Sequence, residues 1–254
     1  MKIMPKRSLG VVIPTLNEAE RIRGLLPKLH ERFKDDYDLR VVVVDDLSPD
    51  GTGEIAKQHG AIVPPLSERL RYGRSLCLGL CLAWYTLKCD LVAQMDADHP
   101  VDSLESLMKK MENEGCDLVV GREKGRWKME RKVTRWLCEH ILRLKGVSHP
   151  TCGLRVWRGE MLERLPWRHV KAKDFSIQVE LLFWAERNKF KICEAEFEGH
   201  KSGKHKIRTL LDWLITFARL LRIKYLLWWR TYECGIKADF WLKEFLSTVD
   251  TTRV

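Results

Sequence analysis

The sequence predicts an α/β fold, a mostly parallel sheet flanked by helices on both faces. Short apolar runs rich in valine alternate with helical patterns through the first 120 residues, as in repeated strand–helix–strand units. The predicted strands are apolar along their whole length, which is typical of strands covered on both faces. Polar and charged residues directly follow several of these runs, and open α/β sheets bind ligands at the carboxyl ends of their strands.

The first half of the chain supplies most of the predicted elements. Strands are expected at residues 9–14, 39–44, 61–63, 91–95 and 116–120. Helices are expected at residues 18–33, 52–59, 74–88 and 101–114, with polar residues available as N-caps before the first two. Functional side chains should therefore lie at the strand ends, at residues 14–17, 45–46, 96–98 and 121–122.

The second half is expected to extend the same domain. It contains a predicted basic helix at 127–145, a strand at 154–157, a helix at 175–187 and a strand at 191–197. A Gly- and Lys-rich loop follows, so we place the catalytic domain at residues 1–206. Residues 207–254 form a C-terminal extension with an amphipathic helix, which either lies in a membrane interface or packs on the core or a partner subunit.

Composition limits the classes of function. A charged fraction of 31% and a hydrophobic fraction of 45% are typical of a globular domain. The net charge of +10 favours an anionic partner, which is nucleic acid, a phosphorylated substrate or an acidic membrane face. No run approaches the ~18 uncharged residues of a spanning helix, and the basic N-terminus lacks a signal-peptide hydrophobic segment. We therefore expect no segment to cross a bilayer.

The eight cysteines form neither a CxxC pair nor a regular disulfide spacing. Most of them lie within apolar runs. We therefore expect reduced core thiols in a cytosolic protein, with zinc ligation or disulfides as the alternatives.

Two carboxylates end the strand predicted at 91–95. Asp96 and Asp98 are two residues apart, so in an extended segment their side chains point the same way and can hold one Mg²⁺ or Mn²⁺. We expect Asp98 to bind the metal directly and Asp96 to contact a ribose or a metal-bound water. The alternative is that the pair only caps the helix that begins at Val101.

The order of three motifs resembles family 2 of the inverting GT-A glycosyltransferases. The motifs are VVIPTLNE at 11–18, VVDDLSPDGT at 43–52 and MDADHP at 95–100. Within that family, the later segments GR at 121–122, TCGLRVWR at 151–158, FSIQVE at 175–180 and residues 197–207 resemble the dolichol-phosphate mannose synthase branch. The resemblance covers residues 8–220 and implies a GT-A fold. It also implies metal-dependent transfer of a sugar from a nucleotide-sugar to a polyprenyl phosphate.

The chain departs from that branch in three places. His99 and Pro100 follow Asp98 directly, so the glutamine that usually supplies a third metal contact is missing. His200 stands where an arginine is common, and His205 stands where a serine precedes the lysine of the motif, here Lys206. The C-terminal transmembrane helices of some relatives are also absent, so the amphipathic helix would have to attach the protein to the membrane.

The chemistry assigns roles to the remaining candidates. The donor nucleotide-sugar would be bound by Pro14, Thr15, Glu18, Asp46, Arg74, Asp96 and Lys206. A lipid phosphate is already anionic near neutral pH, so the acceptor side needs cations and no general base. The candidates there are Arg122, Arg131, Arg155 and His200. We expect Asp98, Arg122 and Arg155 to be catalytic. Asp98 would act through the metal, and the two arginines are preferred among the cations because a guanidinium can bind a phosphate with two hydrogen bonds.

Two further residues lie on the helix predicted at 175–187. Gln178 and Glu180 do not share a helix face, so at most one should point into the site. Glu180 would bind sugar hydroxyls or orient a cation, or would be a buried partner of Arg155 or Arg158.

The favoured function is transfer of mannose from GDP-mannose to a polyprenyl or dolichyl phosphate. The enzyme would be cytoplasmic and peripherally attached to the cytoplasmic face of a membrane, and it would not bind nucleic acid. One alternative is a related transferase with another acceptor or another donor, such as UDP-glucose. An alternative of a different class is a basic nucleic-acid-binding protein, suggested by the isoelectric point near 9.2.

Overall fold

A computed structural model describes residues 6–124, 135–136, 138–140, 142, 144 and 146–199. At its centre is a six-stranded sheet formed by β1 (Ser8–Thr15), β2 (Asp38–Asp45), β3 (Leu91–Gln94), β4 (Leu118–Glu123), β5 (Arg155–Arg158) and β6 (Ile192–Phe197). The strand order is β2-β1-β3-β5-β4-β6. Only β5 runs antiparallel to its neighbours in this sheet. The predicted mostly parallel α/β sheet is confirmed.

Helices cover both faces of the sheet. They are α1 (Ala19–Phe33), α2 (Thr52–Gln58), α3 (Tyr72–Cys81), α4 (Val101–Glu114), α5 (Gly159–Glu163) and α6 (Ile177–Arg187). A single π-helical turn, Leu82–Thr86, continues α3, and a short 3₁₀ turn spans Trp167–His169. None of the helices among the described residues has the length and apolar character needed to span a membrane.

Alternate side chains of the strands enter two separate cores. Val11 and Ile13 of β1 pack with residues of α1 and α4, whereas Val12 packs with residues of α3 and α6. Gly79 permits this second contact, because a Cβ atom there would lie 2.2 Å from Val12 Cγ1. Burial on both faces explains why the strands read as unbroken apolar runs.

One secondary-structure expectation needs correction. Residues 61–63 form no strand, and Ile62 contributes only an isolated bridge to Val42 of β2. The strand expected at 154–157 is present as β5, but it runs antiparallel between β3 and β4. Most of the helix expected at 127–145, and all of the C-terminal extension at 207–254, lie outside the described residues.

The expectation of reduced thiols is wrong for one pair of cysteines. Cys116 and Cys193 form a disulfide with their Cα atoms 6.1 Å apart. They are 77 residues apart in the chain, but the pairing of Leu118 with Ile192 in the β4–β6 ladder brings them together. Among the described residues Cys77, Cys81, Cys89, Cys138 and Cys152 are free. Burial raises the pKa of the Cys81 thiol well above its usual value, as expected for an inert core residue.

Candidate active site

The carboxyl ends of the parallel strands meet at one edge of the sheet. Thr15 ends β1, Asp45 ends β2, and Asp96 follows β3 after one intervening residue. Arg155 opens the antiparallel strand β5 opposite Gln94, so it begins at this same edge. The predicted site residues from separate segments therefore converge here, as open α/β sheets require.

Asp96 and Asp98 differ in their surroundings. Asp98 is exposed, whereas Asp96 is partly buried and its Oδ1 atom accepts a hydrogen bond from the Tyr72 hydroxyl at 2.9 Å. Gly153 lies against the other oxygen, since a Cβ atom at position 153 would come within 2.7 Å of Asp96 Oδ2. Asp96 is thus held in place, while the Asp98 carboxylate faces solvent.

His99 completes a group of possible metal ligands. One ligand atom each from Asp96, Asp98 and His99 lies within 4.8 Å of the others. Carboxylate oxygens are the ligands that Mg²⁺ and Mn²⁺ prefer, and imidazole also binds first-row metals. The two carboxylates therefore fit a divalent cation, and the His99 ring lies beside them.

The protonation of His99 depends on the charge beside it. Burial opposes protonation, but a hydrogen bond with Cys152 and the charges of Asp96 and Asp98 outweigh burial and raise the pKa of His99 to about 9. In the neutral ring, Nδ1 accepts a hydrogen bond from the backbone N–H of Asp96 at 2.8 Å. A cation between the carboxylates would oppose the positive imidazolium and favour the neutral ring, in which Nδ1 is the acceptor and Nε2 carries the proton.

Asp46 is buried and holds the loop before α3 by hydrogen bonds. Its carboxylate accepts hydrogen bonds from the backbone N–H groups of Leu70 at 2.5 Å and Arg71 at 3.1 Å. Arg71 has a φ of 67°, an unusual conformation for a residue with a side chain, and this bond helps to hold it. Its expected contact with the nucleoside stays a prediction.

The first two strand ends are also tied to each other. Asp45 accepts hydrogen bonds from the Ser48 hydroxyl and from the Thr15 hydroxyl, the latter at 3.4 Å. Pro14 is buried in β1, and Glu18 pairs with Arg21 at 2.6 Å. These contacts show Asp45 bonding within the edge of the core. They place Thr15 and Glu18 along the side of the site near β2.

The described cations of the expected acceptor side lie in different environments. Arg122 is partly exposed and forms an ion pair with Glu196 of the neighbouring strand β6. Arg155 is fully buried, and its Nη2 and Nε atoms donate to the backbone carbonyls of Pro150 at 2.8 Å and Cys152 at 3.1 Å. Burial lowers the pKa of Arg155 to about 10. A phosphate-binding role would lead one to expect Arg155 at the surface of the site. Instead, its side chain lies beneath the site, in the core.

The other candidates divide into two groups. Arg74 is exposed in the first turn of α3, two residues from Tyr72. Arg131, His200 and Lys206 lie outside the described residues.

Glu180 has neither of the partners considered from the sequence. Its buried carboxylate accepts hydrogen bonds from the backbone N–H groups of Lys171 at 3.0 Å and Ala172 at 2.7 Å. Burial raises the pKa of this carboxyl, while these backbone bonds act in the opposite direction. Glu180 therefore anchors the loop before α6.

Sequence reasoning missed two site residues, Tyr72 and Gln94. Both are joined by hydrogen bonds to Gln178, which the sequence did offer as a side chain facing the site, and the network ends at Asp96. One signal was available, because Gln94 is a polar residue in an apolar strand and a buried amide requires partners. Nothing in the local pattern identifies which partners it has.

Comparison with known proteins identifies the family. The sequence profile of Glycosyl transferase family 2 matches residues 10–142, just over half of the chain. The polyprenol monophosphomannose synthase of Mycolicibacterium smegmatis is 27% identical over 214 residues, 76% of this chain and 77% of that protein. The undecaprenyl-phosphate mannosyltransferase of Micrococcus luteus is 28% identical over 213 residues, 77% of this chain and 86% of that protein. The dolichol-phosphate mannosyltransferase of Pyrococcus furiosus is 25% identical over 232 residues, 84% of this chain and 64% of that protein.

Solved structures support the fold. Glucosyl-3-phosphoglycerate synthase from Mycobacterium tuberculosis, in complex with Mn²⁺, UDP and phosphoglyceric acid, superposes with a TM-score of 0.69 at 21% identity. The match covers 89% of this chain and 80% of that one. The architecture is therefore the GT-A fold that the motifs imply. With its profile match and its carboxylates at the ends of the parallel strands, the chain belongs to glycosyltransferase family 2.

Proposed function

We propose that this chain is an inverting, metal-dependent transferase that moves mannose from GDP-mannose to a polyprenyl phosphate. The observation that carries the proposal is the convergence of Asp96, Asp98 and His99, with ligand atoms within 4.8 Å, at the strand edge of a family 2 glycosyltransferase. The mannosyl donor and the polyprenyl acceptor are supported by the names of the three relatives. The guanine base is supported by the motif resemblance alone.

Asp98 and Asp96 would hold Mg²⁺ or Mn²⁺, with the His99 ring beside them. Such a cation neutralises negative charge on the departing nucleoside diphosphate. Asp98 is exposed and free to turn toward it, whereas Asp96 is already oriented by Tyr72. Arg74, exposed at the start of α3, would add positive charge to the same diphosphate.

The remaining donor contacts come from the edge of the sheet. Pro14, Thr15, Glu18 and Asp46 would form the wall that holds the nucleoside, since β1 and β2 end side by side there. Asp46 would do this while retaining the loop before α3, because a carboxylate has more acceptor positions than the two that it uses here. Lys206, outside the described residues, would close on the diphosphate.

On the acceptor side, the protein would need only to position an anion. A phosphate oxygen attacks the anomeric carbon of the sugar without first losing a proton, so a general base is not needed. Arg122 would exchange its partner Glu196 for the phosphate. Arg155 would act from below by holding the turn at 150–152, with Arg131 and His200 as the further cations.

We also propose attachment to the cytoplasmic face of a membrane through residues 207–254. The argument is that a polyprenyl phosphate is held in a membrane, and that the amphipathic pattern of residues 207–254 suits a helix lying in a membrane interface. The family assignment favours this enzyme over the nucleic-acid-binding alternative.

The test is a transfer assay with Asp98→Ala and a matched control, Asp102→Ala. Radiolabelled GDP-mannose and UDP-glucose are each combined with polyprenyl phosphate, with Mn²⁺, with Mg²⁺ and with a chelator. We expect metal-dependent transfer from GDP-mannose, and a loss of at least about 100-fold for Asp98→Ala with an unchanged circular dichroism spectrum. Asp102 is an exposed carboxylate in the first turn of α4, and its removal should leave transfer intact.

Several results would count against the proposal. Full turnover with the metal chelated would remove the metal-dependent mechanism. Transfer from UDP-glucose alone would establish the alternative donor. Tight, metal-independent RNA binding without binding of a nucleotide-sugar would favour the nucleic-acid-binding class.

A further inference from the structure

A continuous chain of side-chain hydrogen bonds runs from the core of the sheet to Asp96. The Trp157 indole N–H donates to Gln94 Oε1 at 3.0 Å, and Gln94 Nε2 donates to Gln178 Oε1 at 2.7 Å. Gln178 Nε2 donates to the Tyr72 hydroxyl oxygen at 2.9 Å, and the Tyr72 hydroxyl donates to Asp96 Oδ1 at 2.9 Å. Its members come from β5, β3, α6 and the start of α3.

The interior of this hydrogen-bond network is removed from water. Trp157, Gln94 and Gln178 are each 0% exposed, and the second Gln94 amide hydrogen can reach the backbone carbonyl of Gly153 at 3.2 Å. A buried amide without partners would cost roughly 1–3 kcal/mol. Hydrophobic residues would fill the same space without that demand. Here each of the two buried amides has hydrogen-bond partners at both its oxygen and its nitrogen, so the network is satisfied without a bound ligand.

The donor and the acceptor of every hydrogen bond in this network follow from its Trp157 end. An indole N–H can only donate, so it must face the carbonyl oxygen of Gln94, which turns the Gln94 amide nitrogen toward Gln178. The Gln178 carbonyl oxygen accepts that bond, and its amide nitrogen then faces the Tyr72 oxygen. Because a tyrosine hydroxyl carries a single proton, Tyr72 must give that proton to Asp96.

We propose that Gln94, Gln178 and Tyr72 act as a positioning relay that aims the Asp96 carboxylate at the cation and diphosphate of the donor. This inference rests on the proposed function. The carboxylate is confined from two sides, by the Tyr72 hydroxyl at Oδ1 and by the backbone of Gly153 beside Oδ2. Neither contact depends on a bound ligand, so Asp96 is oriented before the donor arrives.

Loss of the relay should weaken metal binding more than it weakens the fold. Without the Tyr72 hydroxyl, the Asp96 carboxylate can rotate, and part of the binding free energy must then be used to fix it again. Partners of this kind, hydrogen-bonded to a metal ligand, typically change metal affinity by roughly 10–100-fold. The Tyr72 ring also stacks on Phe175, with ring centroids 4.1 Å apart, and phenylalanine can preserve that contact.

The experiment measures the dissociation constant of Mn²⁺ for the purified full chain in the presence of GDP, by electron paramagnetic resonance of the free ion. Tyr72→Phe and Gln178→Met are compared with wild type and with Tyr37→Phe. Tyr37 is a suitable control because its hydroxyl also donates to a carboxylate, Glu112 Oε1 at 3.4 Å, outside this network. Melting temperatures and near-UV circular dichroism show whether each variant is folded.

We expect the Mn²⁺ dissociation constant to rise by roughly 10–100-fold for Tyr72→Phe and for Gln178→Met. Tyr37→Phe should stay within about twofold of wild type, as expected of a change away from the site. Saturating Mn²⁺ should restore part of the transfer rate of Tyr72→Phe, which a purely structural defect would not allow. Wild-type Mn²⁺ affinity in a folded Tyr72→Phe or Gln178→Met variant would overturn the relay.

Asp98→Ala separates failure of the relay from failure of the proposed function. If Asp98→Ala loses Mn²⁺ binding while Tyr72→Phe keeps it, the metal site stands and the relay alone is refuted. If Asp98→Ala binds Mn²⁺ as wild type does, the metal site of the proposed function is refuted, and the relay with it.

Discussion

Asp96 and Asp98 are two residues apart but have different surroundings. Asp98 is exposed, whereas Asp96 is enclosed by Tyr72, Gly153 and the turn that places His99. In the proposed metal site, the enclosed carboxylate is already oriented and the exposed one can adjust to the ion. The structure supplies one carboxylate of each kind within a single short motif.

Gly153→Ala should reduce activity through Asp96. The new Cβ atom would lie 2.7 Å from Asp96 Oδ2 and 3.3 Å from the Tyr72 hydroxyl oxygen, so the carboxylate would have to move. We expect transfer activity and Mn²⁺ affinity to fall by roughly 10-fold or more. Steady-state assays across a Mn²⁺ titration would measure both.

Gly24→Ala is the matched control for that change. Gly24 is exposed in α1, and nothing lies within 4 Å of a Cβ atom placed there. This variant should keep full activity and gain about 0.5–1 kcal/mol of unfolding free energy, since alanine favours a helix over glycine. Equal activity of the two variants would show that Gly153 does not constrain Asp96.

Arg155 shows how a residue can be at the right edge of the sheet and still face the core. It opens β5, an antiparallel strand inserted between β3 and β4, and its guanidinium bonds to carbonyls of the 150–152 turn. The turn that it holds leads into Gly153. The link from Arg155 to the site therefore passes through the backbone that confines Asp96.

At the scale of elements, two loops beside the site are each held by a buried carboxylate. Asp46 binds backbone N–H groups of the loop before α3, and Glu180 binds those of the loop before α6. The loops meet where the Gly73 N–H donates to the Lys173 carbonyl at 3.0 Å. Together these bonds place the first turn of α3, and with it Tyr72, over the end of β3.

The contact between α1 and α4 predicts a dependence of stability on pH. Arg32 and Lys109 form ion pairs with Glu105, and hydrogen bonds from these cations lower the pKa of Glu105 from 4.5 to about 2. Its stabilisation is therefore fully present above about pH 4.5 and is lost as the pH falls through about 2. Solvent screening of this carboxylate, which is 24% exposed, limits its contribution to about 1 kcal/mol.

Glu105→Gln should remove that pH dependence. Urea denaturation at several pH values is expected to show a loss of about 1 kcal/mol at pH 7 that shrinks toward zero in acid. Glu112→Gln provides a control on the same helix, because Glu112 and its partner Arg7 are both 45% exposed and should contribute within about 0.5 kcal/mol. A difference between Glu105→Gln and wild type that stays constant with pH would contradict this assignment.

At the scale of the whole molecule, the Cys116–Cys193 disulfide connects the entry of β4 to β6 across 77 residues. The closed loop contains β5, α5 and α6, and it also carries Gly153 and Gln178. A reducing cytoplasm keeps thiols free, so the compartment of the protein decides which form is populated.

Reduction of the disulfide should destabilise the protein by about 2–4 kcal/mol, because the unfolded chain regains the freedom that the cross-link removed. Chemical denaturation with and without dithiothreitol measures the difference. The double variant Cys116→Ala/Cys193→Ala should unfold close to the reduced wild type and should not respond to dithiothreitol. Identical midpoints for oxidised and reduced wild type would show that the cross-link does not stabilise the native state.

Sequence patterns were sufficient for the fold class, the helices α1, α2, α4 and α6, and the position of the paired carboxylates. These features depend on the spacing of apolar residues and on the geometry of neighbours such as Asp96 and Asp98.

The tertiary structure alone decided the orientation of β5, the disulfide and the partners of the buried polar groups. Tyr72 is 24 residues from Asp96 and 106 from Gln178, and no periodicity relates such distant positions. A buried amide or guanidinium must find a partner, but packing of the whole chain determines which one. Gln94, Arg155 and Glu180 therefore have contacts that their own segments do not predict. The pairing of the Asp96 and Asp98 carboxylates, in contrast, is predicted by two residues and the strand before them.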